Sequence, residues 1–213
     1  MNKKAINIIN WVLGIVLCCL GICFCTKAAF GLSMIAAPPY IIHCFFRDTL
    51  SWYTQGTSEY IWEAFLVVVT CLAVRKFKPK YLLSLLTAVV SGFIIDFWLW
   101  VFGGNGVYES MVIRVIAFIG GSLLISLAIA FVFRTTLPPQ VYELIVSEIS
   151  DKYHIDKSKT KLFNDIIMLA ITIILSRALT HSWTGVGIGT VIVTFINAPM
   201  IKLFGKVIDR IEK

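Results

Sequence analysis

Six strongly apolar stretches, each close to membrane length, divide this 213-residue chain and leave few residues for anything else. A helix rises 1.5 Å per residue, so about 20 mainly apolar residues cross a hydrocarbon core of roughly 30 Å. The stretches fall at about 6–28, 59–74, 81–102, 111–133, 162–179 and 185–204. Hydrophobic residues make up 58% of the chain, above the roughly 45–50% of soluble domains. No length is left for a separate soluble domain. The net charge of +7 is what the cytoplasmic loops of a membrane protein produce, and no nucleic-acid partner is expected. Residues 1–4 and the apolar run 5–25 have the outline of a signal peptide, but the run is too long and no small-x-small site follows it. The first span is therefore expected to stay. All six cysteines, Cys18, Cys19, Cys23, Cys25, Cys44 and Cys71, lie in apolar segments without zinc-like spacing. They read as small buried hydrophobes, and neither cofactor nor metal is expected.

Two apolar or mixed segments, 30–46 and 137–150, do not read as ordinary spans. The first is interrupted by Pro38 and Pro39; the second opens on Pro138 and Pro139 and carries Glu143 and Glu148. Adjacent prolines remove two backbone donors and disrupt a helix interior. Irregular backbone at membrane depth is tolerated where protein or a water-filled cavity surrounds it. Both segments are expected to be broken or re-entrant half-helices; one bent full span and one surface amphipathic helix is the competing reading.

Charge separates these alternatives. If neither segment crosses, 15 of the 19 Lys and Arg residues, from Lys3 and Lys4 through Arg75–Lys80 to Lys202–Lys213, fall on one side. Lys27, Arg47, Arg114 and Arg177 fall on or near the other. Letting only 30–46 cross would put the Arg75–Lys80 turn on the wrong side of the positive-inside rule. Six crossings with both termini cytoplasmic follow.

The halves also resemble one another. Ala37-Pro38-Pro39-Tyr40 matches Leu137-Pro138-Pro139-Gln140, each after a helix carrying Gly21 or Gly121. Glu63 and Arg75 match Asp165 and Arg177, with Ser58 and Thr160 ahead of the acids where helix N-caps would stand. Ser84, Gly92 and Asp96 stand opposite Thr190, Ala198 and Lys202. Three crossings per half make the second copy inverted. The fold expected is an all-α polytopic membrane protein: six transmembrane helices, two half-helices, and a 3+3 inverted repeat of 1–106 and 107–213 within one membrane domain.

At Gly31-Leu32-Ser33 through Pro39-Tyr40-Ile41-Ile42, at Phe77-Lys78-Pro79 and at Gly92-Phe93-Ile94-Ile95-Asp96-Phe97-Trp98, the chain resembles the YczE/YyaS-like bacterial integral membrane proteins, distantly akin to the YitT type. The likeness continues through Leu137-Pro138-Pro139, Lys161-Leu162-Phe163-Asn164-Asp165 and Gly187-Ile188-Gly189-Thr190 to Ala198-Pro199. It implies a bacterial plasma (inner) membrane protein of undefined activity.

Ionisable groups within spans are functional candidates because burying charge in lipid is costly. Asp96, in an Ile-Ile-Asp-Phe-Trp context, suits ion coupling or an interfacial position among aromatics. Glu63 and Asp165 lie early in their spans, where a carboxylate favourably meets the helix dipole, and Lys161 is placed to pair with Asp165. His43 suits a proton relay or a buried structural role. Ser33, Thr190 and Asn197, with Ser91, Thr87 and Thr194, line a polar path or join helices. Gly189 belongs to a Gly-Ile-Gly too short for a phosphate loop. No arrangement typical of an intramembrane enzyme is present. Inverted repeats with discontinuous helices recur in transporters, so the expected function is a small-solute permease working by alternating access. The alternative is a binding or regulatory subunit lent to a partner complex, with homo-oligomerisation open.

Overall fold

A computed structural model describes residues 3–211, and among them the chain is all-helical. The elements are α1 (Lys3–Ala28), α2 (Ala37–Phe46), α3 (Gln55–Val74), α4 (Lys80–Val101), α5 (Met111–Val132), α6 (Val141–Tyr153), α7 (Lys157–Thr180) and α8 (Ile188–Ile211). All but α2 and α6 are long and apolar enough to cross a membrane. Lys213, counted above with the inner charges, lies outside the described residues. Large apolar side chains such as Leu72, Phe93, Trp100, Ile116, Ile174 and Phe195 point outward and are exposed. Water would penalise such a surface, whereas lipid tails match it.

Hydrogen bonds sort the connections onto two faces. On one face Asn7 meets Thr136, Arg134 pairs with Asp209, and Lys78 reaches Glu148. The start of α1, the α3–α4 turn, the end of α5 and the end of α8 therefore share that face. On the other face Lys27 donates to Gly104 O and Gly106 O, both at 2.8 Å, and Arg114 Nε donates to Ala28 O at 2.8 Å. Leu32 N donates to Gly185 O, and His43 lies between Tyr53 O and Asn105.

Both short helices belong to segments, 29–46 and 134–153, that enter and leave on one face, and they are re-entrant. The segment before α6 descends beside α1: Thr136 N donates to Asn7 Oδ1, Trp11 Nε1 donates to Pro138 O, and the Cys18 thiol lies 3.7 Å from Gln140 Oε1. Residues 7 to 18 of a helix span about 16 Å, half the thickness of a hydrocarbon core. From that depth α6 climbs back to the face where Glu148 meets Lys78 and Lys80. For α2, Ala29 and Asn105 hold its two flanks to the opposite face.

The prolines work differently in the two half-helices. Pro38 and Pro39 occupy the first turn of α2, where a missing N–H has no helical partner to lose. They start a helix; the expected interruption within 30–46 is absent because 31–36 are not helical. Pro138 and Pro139 lie ahead of α6 in the descending segment. The caps also differ from expectation. Thr54, whose side chain accepts from Thr57 N, caps α3, and Asp156 accepts from Lys159 N at the start of α7. Both long helices begin earlier than hydropathy indicated, because Gln55–Ser58 and Lys157–Thr160 are polar yet helical.

The packing is tightest where glycines meet. A Cβ on Gly21 would lie 2.7 Å from Gly121 O, so α1 and α5 cross backbone to backbone. A Cβ on Gly56 would lie 2.6 Å from an Asp96 oxygen, at the α3–α4 crossing beside Gly92. Around these crossings α1 packs on α4 and α5, α3 on α2, α4 and α6, α7 on α2, α6 and α8, and α5 on α8.

Candidate functional site

The helical stripe Gln55, Glu59, Glu63 faces inward from α3 and meets the start of α6. These positions are spaced by four residues, so they lie on one side of the helix. All are at most 2% exposed. Glu63 Oε2 accepts from Val141 N at 3.1 Å, capping the N-terminus of α6 from another helix. Negative charge there meets both an unpaired N–H and the positive end of the dipole. Glu59 Oε1 accepts from the Tyr142 hydroxyl at 3.1 Å. Gln140 Nε2 donates to Ser91 Oγ at 3.0 Å, which fixes the turn leading into α6 from the α4 side.

The remaining polar capacity of the seam is almost entirely acceptor. Gln55 Oε1, Glu59 Oε2 and Glu63 Oε1 have no hydrogen-bond partner among the described residues. Neither oxygen of Glu143 meets a partner on another described residue, although Glu143 is only 2% exposed. Buried acceptors without donors are rare and costly, and a carboxylate at membrane depth costs about 3 kcal/mol on insertion scales. A seam built this way suits a species that arrives with donors or positive charge.

Two cavities flank the seam. One, of ≈ 390 Å³, opens near the basic face and is lined by Glu143, Ser84, Pro138 and Pro139, with Lys80 and Lys157 at its edge. The other, of ≈ 230 Å³, lies near the opposite face and is lined by Thr26, Gly31, Tyr40 and Gly185. Thr26 Oγ1 accepts from Gln55 Nε2 at 3.1 Å. The polar groups from Thr26 through Gln55, Glu59 and Glu63 to α6 thus run between the cavities. Among the described residues no three His, Cys, Asp or Glu side chains stand close enough to share a metal ion.

The residues singled out in the sequence are scattered around this seam. Glu63 is central to it, but as the ninth residue of α3 it meets the dipole of α6, not that of its own helix. Pro138 and Pro139 line the larger cavity. Asp96 instead caps α3, accepting from Thr54 Oγ1 at 2.6 Å and Gly56 N at 2.9 Å. Asp165 pairs with Lys161 at 2.9 Å, in a buried i,i+4 pair. His43 Nδ1 lies 3.0 Å from Tyr53 O and Nε2 lies 3.2 Å from Asn105 Nδ2. A proton on Nδ1 satisfies both contacts, which makes His43 a loop anchor. Thr190 bonds Gly187 N and Gly185 O, while Gly189 N donates to Phe30 O, clasping the α1–α2 loop. Asn197 accepts from Ser126 at 2.8 Å and joins α8 to α5. Ser33, before Pro38 and Pro39, is buried with its hydroxyl unpartnered. Glu59, Gln55, Gln140 and Tyr142 were missed; the four-residue spacing on α3 was the available signal.

Comparison with known proteins places the chain. A family described as "Family of unknown function (DUF6198)" matches residues 5–206. The chain belongs to DUF6198. The uncharacterized protein YyaS of Bacillus subtilis (strain 168) is 27% identical over 154 residues, covering 70% of this chain and 72% of YyaS. The YyaS-like resemblance is therefore shown, and this DUF6198 member is a membrane-spanning helical protein of a family without assigned function. No solved structure matches it.

Proposed function

We propose that the chain is a small-solute permease of the bacterial plasma membrane that works by alternating access, with the α3–α6 seam on its pathway. The observation that carries this reading is the Glu63–Val141 contact: a carboxylate at mid-depth receives the N-terminus of a re-entrant helix. Discontinuous helices whose ends meet polar groups near the midplane are a hallmark of secondary transporters. The helix pairings support an inverted repeat. Exchanging α1–α4 with α5–α8 turns α1·α4 into α5·α8, α2·α7 into α6·α3, α2·α3 into α6·α7 and α3·α4 into α7·α8, and all eight pairs are in contact. The positive-inside rule then puts the face bearing Arg75–Lys80 and the chain termini in the cytoplasm.

Gln140, 7% exposed at the start of α6, provides the test. Gln140→Cys is placed in a background whose six native cysteines are serine, and sealed vesicles are treated with an impermeant thiol reagent from either side. A carrier exposes this position to each side in turn, so labelling from both is expected. Labelling from one side only, or none, refutes alternating access and brings partner capture forward as the next experiment.

A further inference from the structure

We infer that the cavity beneath the Pro138-Pro139 segment is a binding site for a primary ammonium group, held by Glu143 and Ser84. Three acceptors there lack partners: both carboxylate oxygens of Glu143 and the hydroxyl of Ser84, which is 0% exposed. The Ser84 hydroxyl is unusual. Thr70, Thr87, Thr172 and Thr194 all donate to the carbonyl four residues back in their own helices, whereas Ser84 makes no such bond and lines the cavity with Glu143. A primary ammonium carries three N–H donors and no acceptor. Three orphan acceptors match it in number and in sign.

The rest of the cavity fits an organic cation better than a bare ion. Its volume of ≈ 390 Å³ falls in the range of small-molecule sites. Leu83, Val132, Phe133, Leu137 and Leu144 add apolar wall suited to a short alkyl chain. Calcium would seek six to eight oxygens at close range, more than the cavity's two acidic oxygens and scattered hydroxyls offer. Of the nearby lysines, Lys80 is paired with Glu148, and Lys157 is exposed, where salt screens its repulsion. The buried Lys161, which acts on Glu143 through space, has its ammonium held by Asp165 at 2.9 Å. As the substrate class of a permease this assignment rests on the function proposed above; the binding itself does not.

Thermal unfolding of the purified full chain in detergent tests it, with propylammonium, tetramethylammonium and sodium chlorides at matched ionic strength. Propylammonium is expected to raise the Tm saturably, while tetramethylammonium, with charge but no N–H, and sodium do not. Glu143→Gln removes the charge and retains the shape, and is expected to weaken half-saturation about tenfold or more. Ser84→Ala gives a smaller loss in the same direction and decides the matter should Glu143→Gln fail to fold. An absent shift, an equal response to tetramethylammonium, or an unchanged response in both variants overturns the assignment. Two-sided labelling of Gln140→Cys without propylammonium binding leaves the permease and sinks the ligand class. Saturable binding with one-sided labelling does the reverse.

Discussion

Glu148 and Asp96 are both carboxylates on short-range duties, and each gives a residue-scale prediction. Glu148, 1% exposed, ties α6 to the α3–α4 turn through Lys78 at 2.5 Å, Lys80, and Tyr81 at 2.8 Å. Burial pushes its carboxyl up, but the hydrogen bonds from Lys78, Lys80 and Tyr81 outweigh burial and hold it below the ordinary 4.5. A depressed folded value means that the contribution is whole above 4.5 and is lost as pH falls through the folded value. Tm measured against pH is therefore expected to fall on the acid side, and Glu148→Gln to lower Tm at neutral pH and flatten that limb. Asp96 holds the N-terminus of α3 through Thr54 and Gly56. Asp96→Asn is expected to cost about 1 kcal/mol, as lost caps do, read as a lower Tm with two-sided labelling of Gln140→Cys intact. Lost labelling at unchanged Tm would return Asp96 to the pathway.

Among the elements, the long spans were legible because hydropathy over 20 residues is a local property. The ends were less so: Gln55–Ser58 and Lys157–Thr160 are polar residues that the helices keep. The half-helices were visible as proline pairs, yet only contacts along α1 at Asn7, Trp11 and Cys18 show how deep α6 begins. Glu63 was readable as a candidate from its place in a span, but its partner Val141 lies 78 residues away, and no local pattern encodes that pairing. Crossings between elements are where substitution should be felt. Gly56→Ala drives a methyl into Gly92 and Asp96 and is expected to cost about 1–3 kcal/mol, as overpacking does. Gly120→Ala meets nothing within 4 Å, so it should leave Tm unchanged or raise it through a gain of up to about 1 kcal/mol in helix propensity. Equal losses from both would mean that close approach at the α3–α4 crossing does not set the requirement for glycine, since helix propensity alone predicts a gain at Gly120.

For the whole molecule, the two-faced arrangement of loops makes a topology map decisive. Reporter fusions near Gln55, Lys78, Gly106, Asp156 and Ser182 are expected to read outside, inside, outside, inside and outside. The contacts place Lys78 with Glu148, and His43 with Asn105, on opposite faces, so this alternation follows once one face is assigned by charge. A cytoplasmic reading at Gln55 would contradict both the re-entrant path of α2 and the inverted pairing. The repeat proposed above is faint in sequence because helix pairings, unlike hydropathy, tolerate wide change in side chains. Three matched proline and glycine pairs suggest it there; eight helix pairings support it here.

The partnership of Glu63 with α6 also has a consequence for biosynthesis. Translation adds about 5–20 residues per second, so the 78 residues between Glu63 and Val141 take about 4–16 s to make. During that interval the first half sits in the bilayer with the acids of α3 uncovered and no donor yet synthesised. Completion of the seam therefore waits on the second half of the chain, because Glu63 and Glu59 gain their donors only when Val141 and Tyr142 arrive.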